Sequence, residues 1–178
     1  MGMEAKKERG RFQIYTGDGK GKTTAALGLA MRAVGRGHQV YIGQFMKGQD
    51  YGELHSLAKV EGITIEQYGD PEWHFAGKLT AAQLERAAEG LKRAREAVAS
   101  GRYRVVVLDE INMAVWFGLI PLEAALSLAR APRGGTELVY TGRQADPALI
   151  ELADLVTEMR EIKHYYATGL KAREGIEY

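Results

Sequence analysis

An α/β fold is what this 178-residue sequence predicts: a mostly parallel sheet with helices on both faces. Three observations carry that prediction. Short β-rich runs alternate with stretches of helical periodicity along the chain. One run, Arg104 to Leu108 (RVVVL), is continuously apolar, as a strand buried on both faces of a parallel sheet must be. A glycine-rich segment, TGDGKGKTT at 16–24, stands between a strand pattern and a helix pattern, which is the setting a phosphate-binding loop requires.

The elements follow in order from local signals. Phe12 to Thr16 is a β-rich run that ends in the glycine-rich turn. Lys22 to Val34 then sets Leu27, Ala30, Met31 and Val34 at helical spacing, and Gly35 and Gly37 end that helix. Gln39 to Phe45 resumes β character before a loop from Met46 to Gly52, and Gly62 to Tyr68 is the third strand. Thr80 opens a long helix, because Gln83 three residues on completes a reciprocal cap, and Leu84, Ala87, Leu91 and Val98 supply its buried stripe. The helix stops near Ser100-Gly101, ahead of the apolar strand. Pro121 suits the first turn of a helix reaching Arg130, Glu137 to Thr141 is a further strand, and Asp146-Pro147 caps and starts another helix. Leu155 to Met159 is the last strand. No repeat or linker interrupts the alternation, so residues 1–178 are expected to form one domain, with the polar residues 1–10 mobile in the absence of a partner.

Composition removes several classes of function. Lys and Arg number 24 against 23 Asp and Glu, a formal charge of +1, which offers nucleic acid or an anionic membrane no broad attraction. The absence of cysteine excludes disulfides, zinc-thiolate and iron-sulfur sites and a cysteine nucleophile, and it fits a reducing compartment. No apolar run reaches the roughly 18 to 20 residues of a membrane span, and MGMEAKKERG is charged where a signal peptide turns apolar, so a cytoplasmic location is expected. Lys6 stands where a myristoylation signal needs Ser or Thr. His38, His55, His74 and His164 share no metal-ligand spacing.

The chemistry concentrates in two motifs. In the phosphate loop, Gly17, Gly19 and Gly21 let backbone N–H groups turn inward toward phosphate oxygens, with Asp18 and Lys20 between them and the helix N-terminus adding partial positive charge. Lys22 reaches phosphate, Thr23 ligates a divalent cation, and Thr24 completes the nucleotide-binding set. The usual pattern has glycine five residues before Gly21, where this chain has Thr16, so the motif is a variant. VVVLDE at 105–110 supplies the partner carboxylates: Asp109 and Glu110 emerge at the end of a core strand, and either one is a candidate metal ligand beside Thr23. The domain is therefore P-loop NTPase-like. Asn112 is suited to orienting a metal-bound water or capping a turn, and Arg143 to holding phosphate or forming a surface salt bridge.

Several blocks together resemble the ATP:corrinoid adenosyltransferases, the CobA/BtuR/CobO family of cob(I)alamin adenosyltransferases. They are TGDGKGKTTAALGLAMRAVGRG (16–37), QFMKG (44–48), VVLDEINMA (106–114), TGR (141–143) and LIELADLVTEMREIKHYYATGLKAREGIEY (149–178). The resemblance implies an alkyl transferase of cobalamin biosynthesis or salvage, in which ATP donates its 5′-deoxyadenosyl group to a corrinoid reduced to Co(I) and leaves as inorganic triphosphate. It implies Mg²⁺ or Mn²⁺, ATP and a reduced corrinoid at the site, with Lys22, Thr23 and Glu110 catalytic. It further implies an external electron donor such as a reduced flavoprotein, a homodimer, and an N-terminal segment that folds over the corrinoid. Co(I) is a strong nucleophile with no proton to remove, so no general base is expected. The family's aromatic pair near cobalt falls on Pro71-Glu72-Trp73-His74-Phe75: Trp73 carries over, Pro71 replaces the family's phenylalanine, and Phe75 stands on the other side. Trp73, His74, Phe75 and Arg143 are thus the corrinoid-binding candidates. Two other readings suit the same loop, a P-loop ATPase or small-molecule kinase and a nucleotide-dependent binding protein without chemistry.

Overall fold

The structure, a computed structural model, describes residues 9–71 and 78–178. Its centre is a six-stranded sheet of β1 (Phe12–Thr16), β2 (Val40–Phe45), β3 (Ile63–Tyr68), β4 (Val105–Asp109), β5 (Glu137–Thr141) and β6 (Leu155–Glu158). The strands are ordered β3-β2-β4-β5-β1-β6, and every pairing is parallel. The helices are α1 (Lys22–Val34), α2 (Gly52–Leu57), α3 (Ala81–Ala99), α4 (Ile111–Trp116), α5 (Leu122–Arg130) and α6 (Pro147–Leu152), with a 3₁₀ turn at Tyr165–Thr168.

Side-chain alternation splits the core between the two faces of the sheet. Val106 and Leu108 of β4 join Phe12, Ile14, Leu138 and Tyr140 beneath α3, α4, α5 and α6. Val105 and Val107 point the other way, toward Val40, Ile42 and Val139, where Ala26, Ala30 and Ala33 of α1 and Leu57 of α2 cover them. All five residues of β4 are buried, which is what a run without polar alternation requires.

The strands and long helices lie where the sequence puts them, and the differences have local causes. In α1 the buried row is Ala26, Ala30 and Ala33, while Met31 is 45% exposed. Small side chains let this helix lie close on the sheet, while Leu27, Leu29 and Val34 pack against the same core only partly buried. The stripe of α3 begins at Ala87, and Leu84 is exposed. Thr80 and Gln83 do form the reciprocal cap. Helices α2 and α4 were not anticipated, because six residues are too few to show a helical period. Asp146 caps α6 by accepting from Ala148 N at 2.8 Å. Among the described residues no helix is long and apolar enough to cross a membrane.

Candidate active site

The loop after β1 turns into α1 at Gly21, whose φ of 119° is open to glycine and strained for other residues. Gly19 is needed for a different reason. Its N–H donates to Met159 O at 2.7 Å, and a Cβ there would come within 2.8 Å of the Arg160 carbonyl carbon. The strand exit at 159–160 therefore braces the loop from outside. Thr16, where the usual motif has glycine, is still in β1, and its carbonyl accepts from Met159 N at 2.8 Å. The extended strand conformation at that position needs no glycine, which is how the variant motif is accommodated.

Lys22 is buried and donates to Gly17 O at 2.7 Å and Gly19 O at 2.8 Å, so its ammonium sits on the carbonyls of its own loop. Burial holds its pKa below the usual lysine value. Lys20 points away from the loop, donating to Glu177 at 2.7 Å and to Tyr165 Oη and Ile176 O at 3.0 Å. Asp18 and Thr24 are exposed at the mouth of the site, and Arg143 reaches to 4.0 Å from Asp18. These groups border a cavity of about 900 Å³ at the carboxyl ends of the strands, lined also by Thr23, Lys47, Tyr51 and Glu110.

Beneath the cavity lies a fully partnered carboxylate. Asp109, 1% exposed, accepts at Oδ1 from Thr23 at 2.8 Å and Thr141 at 2.6 Å. At Oδ2 it accepts from Gln44 at 3.3 Å and meets Lys47 Nζ at 2.9 Å. Four partners use the four lone-pair sites of the carboxylate. Glu110 is different. It holds left-handed backbone (φ 60°) as the residue before α4, and it borders the cavity. Burial, with Asp109 next to it, raises the Glu110 pKa above the usual carboxylate range. For Lys47, burial works to lower the pKa, but Asp109, Glu53 and Glu110 together more than offset this and the net shift is upward. Among the described residues, the only non-glycine residues at positive φ are Met46, Glu110 and Gln144. They follow β2, β4 and β5, so the strained backbone lies in the loops around the site.

Thr23, Asp109 and Glu110 thus come together, and Gly17, Asp18, Gly19, Lys20, Gly21, Lys22 and Thr24 surround them. Arg143 stands at the same cavity. Asn112 is buried and donates to Gly142 O at 3.2 Å, tying α4 to the loop after β5. Trp73, His74 and Phe75, and residues 1–8 of the N-terminal segment, lie outside the described residues. Sequence reasoning missed Gln44, Lys47, Glu53 and Thr141. The blocks QFMKG and TGR contain three of these, although no role was read from them; Glu53 lies on a helix that gave no signal. The segment from Tyr165 onward was also unassigned, yet Gly175, Ile176, Glu177 and Tyr178 form one wall of the cavity.

The chain matches, over residues 8–178, the family described as ATP:corrinoid adenosyltransferase BtuR/CobO/CobP. It belongs to that family. Corrinoid adenosyltransferase CobA of Salmonella typhimurium is 34% identical over 177 residues, covering 98% of this chain and 89% of that protein. The corrinoid adenosyltransferases of Pseudomonas aeruginosa and Escherichia coli K12 are also 34% identical, each across 98% of this chain and 87% and 89% of their own lengths. The matched residues include both the phosphate loop and the final segment, which together line the cavity.

Proposed function

We propose that this protein transfers the 5′-deoxyadenosyl group of ATP to the Co(I) centre of a reduced corrinoid, cobalamin or a precursor, releasing inorganic triphosphate. The observation that carries this reading is the family match over residues 8–178, joined to a phosphate loop whose Thr23 bonds a core-strand carboxylate. In the transfer, the cobalt electron pair forms the Co–C5′ bond, the C5′–O bond breaks, and its electrons leave with triphosphate. No proton moves at the attacking atom, and no general base is assigned. The chain's task is to align C5′ with cobalt and to neutralise the leaving group. Lys22 and the loop N–H groups do this once Lys22 gives up the Gly17 and Gly19 carbonyls. Lys20 joins them when Glu177 releases it.

Mg²⁺ or Mn²⁺ fits the donor set, which is all oxygen. An ion of this kind keeps few protein ligands and is held largely by substrate phosphates. Thr23 and Glu110 would hold it at the cavity, with Asp109 behind Thr23; when bound, it neutralises charge on the triphosphate. Trp73, His74, Phe75 and Arg143 are assigned to the corrinoid. The chain has no cysteine and no redox centre of its own is assigned, so electrons for cobalt come from an external donor such as a reduced flavoprotein. A homodimer in the cytoplasm completes the reading; the edge strand β6, with Leu155 and Val156 exposed, supports self-association.

The deciding experiment is anaerobic incubation with ATP, Mg²⁺ and chemically reduced cobalamin. Light-sensitive adenosylcobalamin with one triphosphate per cobalt is expected. Orthophosphate with an unchanged corrinoid spectrum would overturn the reading in favour of an ATPase or kinase.

A further inference from the structure

Lys47 has no task in the reaction as assigned above, yet it is held more firmly than a loop lysine needs to be. Its side chain is 15% exposed, with Nζ 2.9 Å from Asp109 Oδ2 and 3.3 Å from Glu53 Oε1. The centre of the Tyr51 ring lies 4.9 Å from the same ammonium. Gln44 spans the same two carboxylates, at 3.0 Å from Glu53 and 3.3 Å from Asp109. The backbone has little freedom to move. Met46 is left-handed at φ 58°, a Cβ at Gly69 would stand 2.4 Å from Lys47 N, and one at Gly48 would stand 2.5 Å from the Asp70 carbonyl carbon. Lys47, Glu53 and Glu110 all face the cavity bordered by Lys22 and Thr23.

Charge gives this arrangement a consequence. Glu53, Asp109 and Glu110 set three carboxylates on this side of the site, and carboxylates attract a bare divalent cation while repelling triphosphate. Lys47 is the cation that lies on two of the three. We propose that Lys47 is the resident counter-cation of the nucleotide site: it suppresses binding of a divalent metal alone and favours binding of the metal together with triphosphate. The inference deepens the function proposed above and rests on its metal site at Thr23 and Glu110.

The test is Mn²⁺ binding to the full chain, followed by electron paramagnetic resonance, first with the metal alone and then with Mn²⁺ plus inorganic triphosphate. Lys47→Met is expected to bind Mn²⁺ alone about tenfold more tightly and the Mn²⁺–triphosphate pair about tenfold more weakly. Lys47→Arg keeps the charge and is expected to stay within about threefold of the parent in both. A residue that merely packs would weaken both or change neither, and either result overturns the proposal. Thermal unfolding verifies that Lys47→Met is folded; if it is not, Lys47→Gln is held to the same two opposed shifts. Glu110→Gln separates the two levels of failure. If Glu110→Gln leaves Mn²⁺–triphosphate binding intact, the metal site itself is wrong; if it abolishes that binding while Lys47→Met shows no opposed shifts, only the role of Lys47 is lost.

Discussion

Lys22, Thr141 and Glu110 each occupy a position whose chemistry can be changed by one substitution. Lys22→Ala removes the one buried ammonium of the phosphate loop, and ATP affinity is expected to fall roughly 10- to 100-fold by calorimetry. Thr141 donates to Asp109 in a buried bond and accepts from Glu110 N at 3.0 Å in a partly buried one. Thr141→Val keeps the shape and strands those groups, so denaturant unfolding is expected to show a loss of about 2–3 kcal/mol. Glu110 works in the opposite direction. Its folded-state pKa is raised by burial, so its charge weakens the fold above that pKa and the penalty fades as pH falls through it. Glu110→Gln should therefore melt higher than the parent at neutral pH, lose that advantage below the ordinary glutamate range, and fail to support turnover. Lys22, Thr23 and the acidic pair were legible in the sequence because their spacing is fixed by the loop and the strand; Thr141 was not. The roles of Asp109 and Glu110 were not, since only the fold buries one beneath four partners and turns the other to the cavity.

Among the elements, α3 shows how close packing is set by a single missing side chain. A Cβ at Gly90 would lie 2.6 Å from the Tyr68 ring and 3.0 Å from Phe45. Tyr68 cannot move away easily, because its hydroxyl is bonded to Glu66 and, at 2.7 Å, to Tyr41. Gly90→Ala gains about 1 kcal/mol of helix propensity, but overpacking against fixed rings costs about 1–3 kcal/mol. Net destabilisation is expected in thermal unfolding, with nucleotide affinity unchanged because α3 does not line the cavity. The strands and the capped start of α3 were readable from local pattern. The alanine face of α1 was not, because helical spacing identifies several possible stripes and only the sheet beneath selects the one with small side chains. Helices α2 and α4 are short products of the loops that precede them, and Glu110 in left-handed conformation launches the second.

For the whole molecule, the notable contact joins the beginning of the chain to its last residues. Lys20 in the phosphate loop bonds Glu177, and Arg173 and Tyr165 bond the same carboxylate. Arg173, then Lys20 and Tyr165, hold the Glu177 carboxyl well below its usual range, while Glu177 and Tyr165 raise Lys20. A carboxylate with a depressed folded pKa stabilises its contacts at and above the ordinary glutamate range and loses them as pH falls toward its own value. Amide protection at 173–178, relative to the intrinsic exchange rate at each pH, is accordingly expected to hold from neutral to mildly acidic pH and to fall only in stronger acid. Glu177→Gln should lose that protection already at neutral pH.

What the sequence determined by itself was the order of the strands and of four of the six helices, the phosphate loop, and the acidic pair that ends the apolar strand. These depend on residues near one another in the chain, where periodicity and turn chemistry act. The tertiary structure decided which carboxylate is buried and which is open, that Lys47 and Thr141 converge on Asp109, and that residues 159–178 brace and wall the loop at 16–24. Those contacts join segments far apart in sequence, and only the parallel order of the sheet brings their ends to one edge.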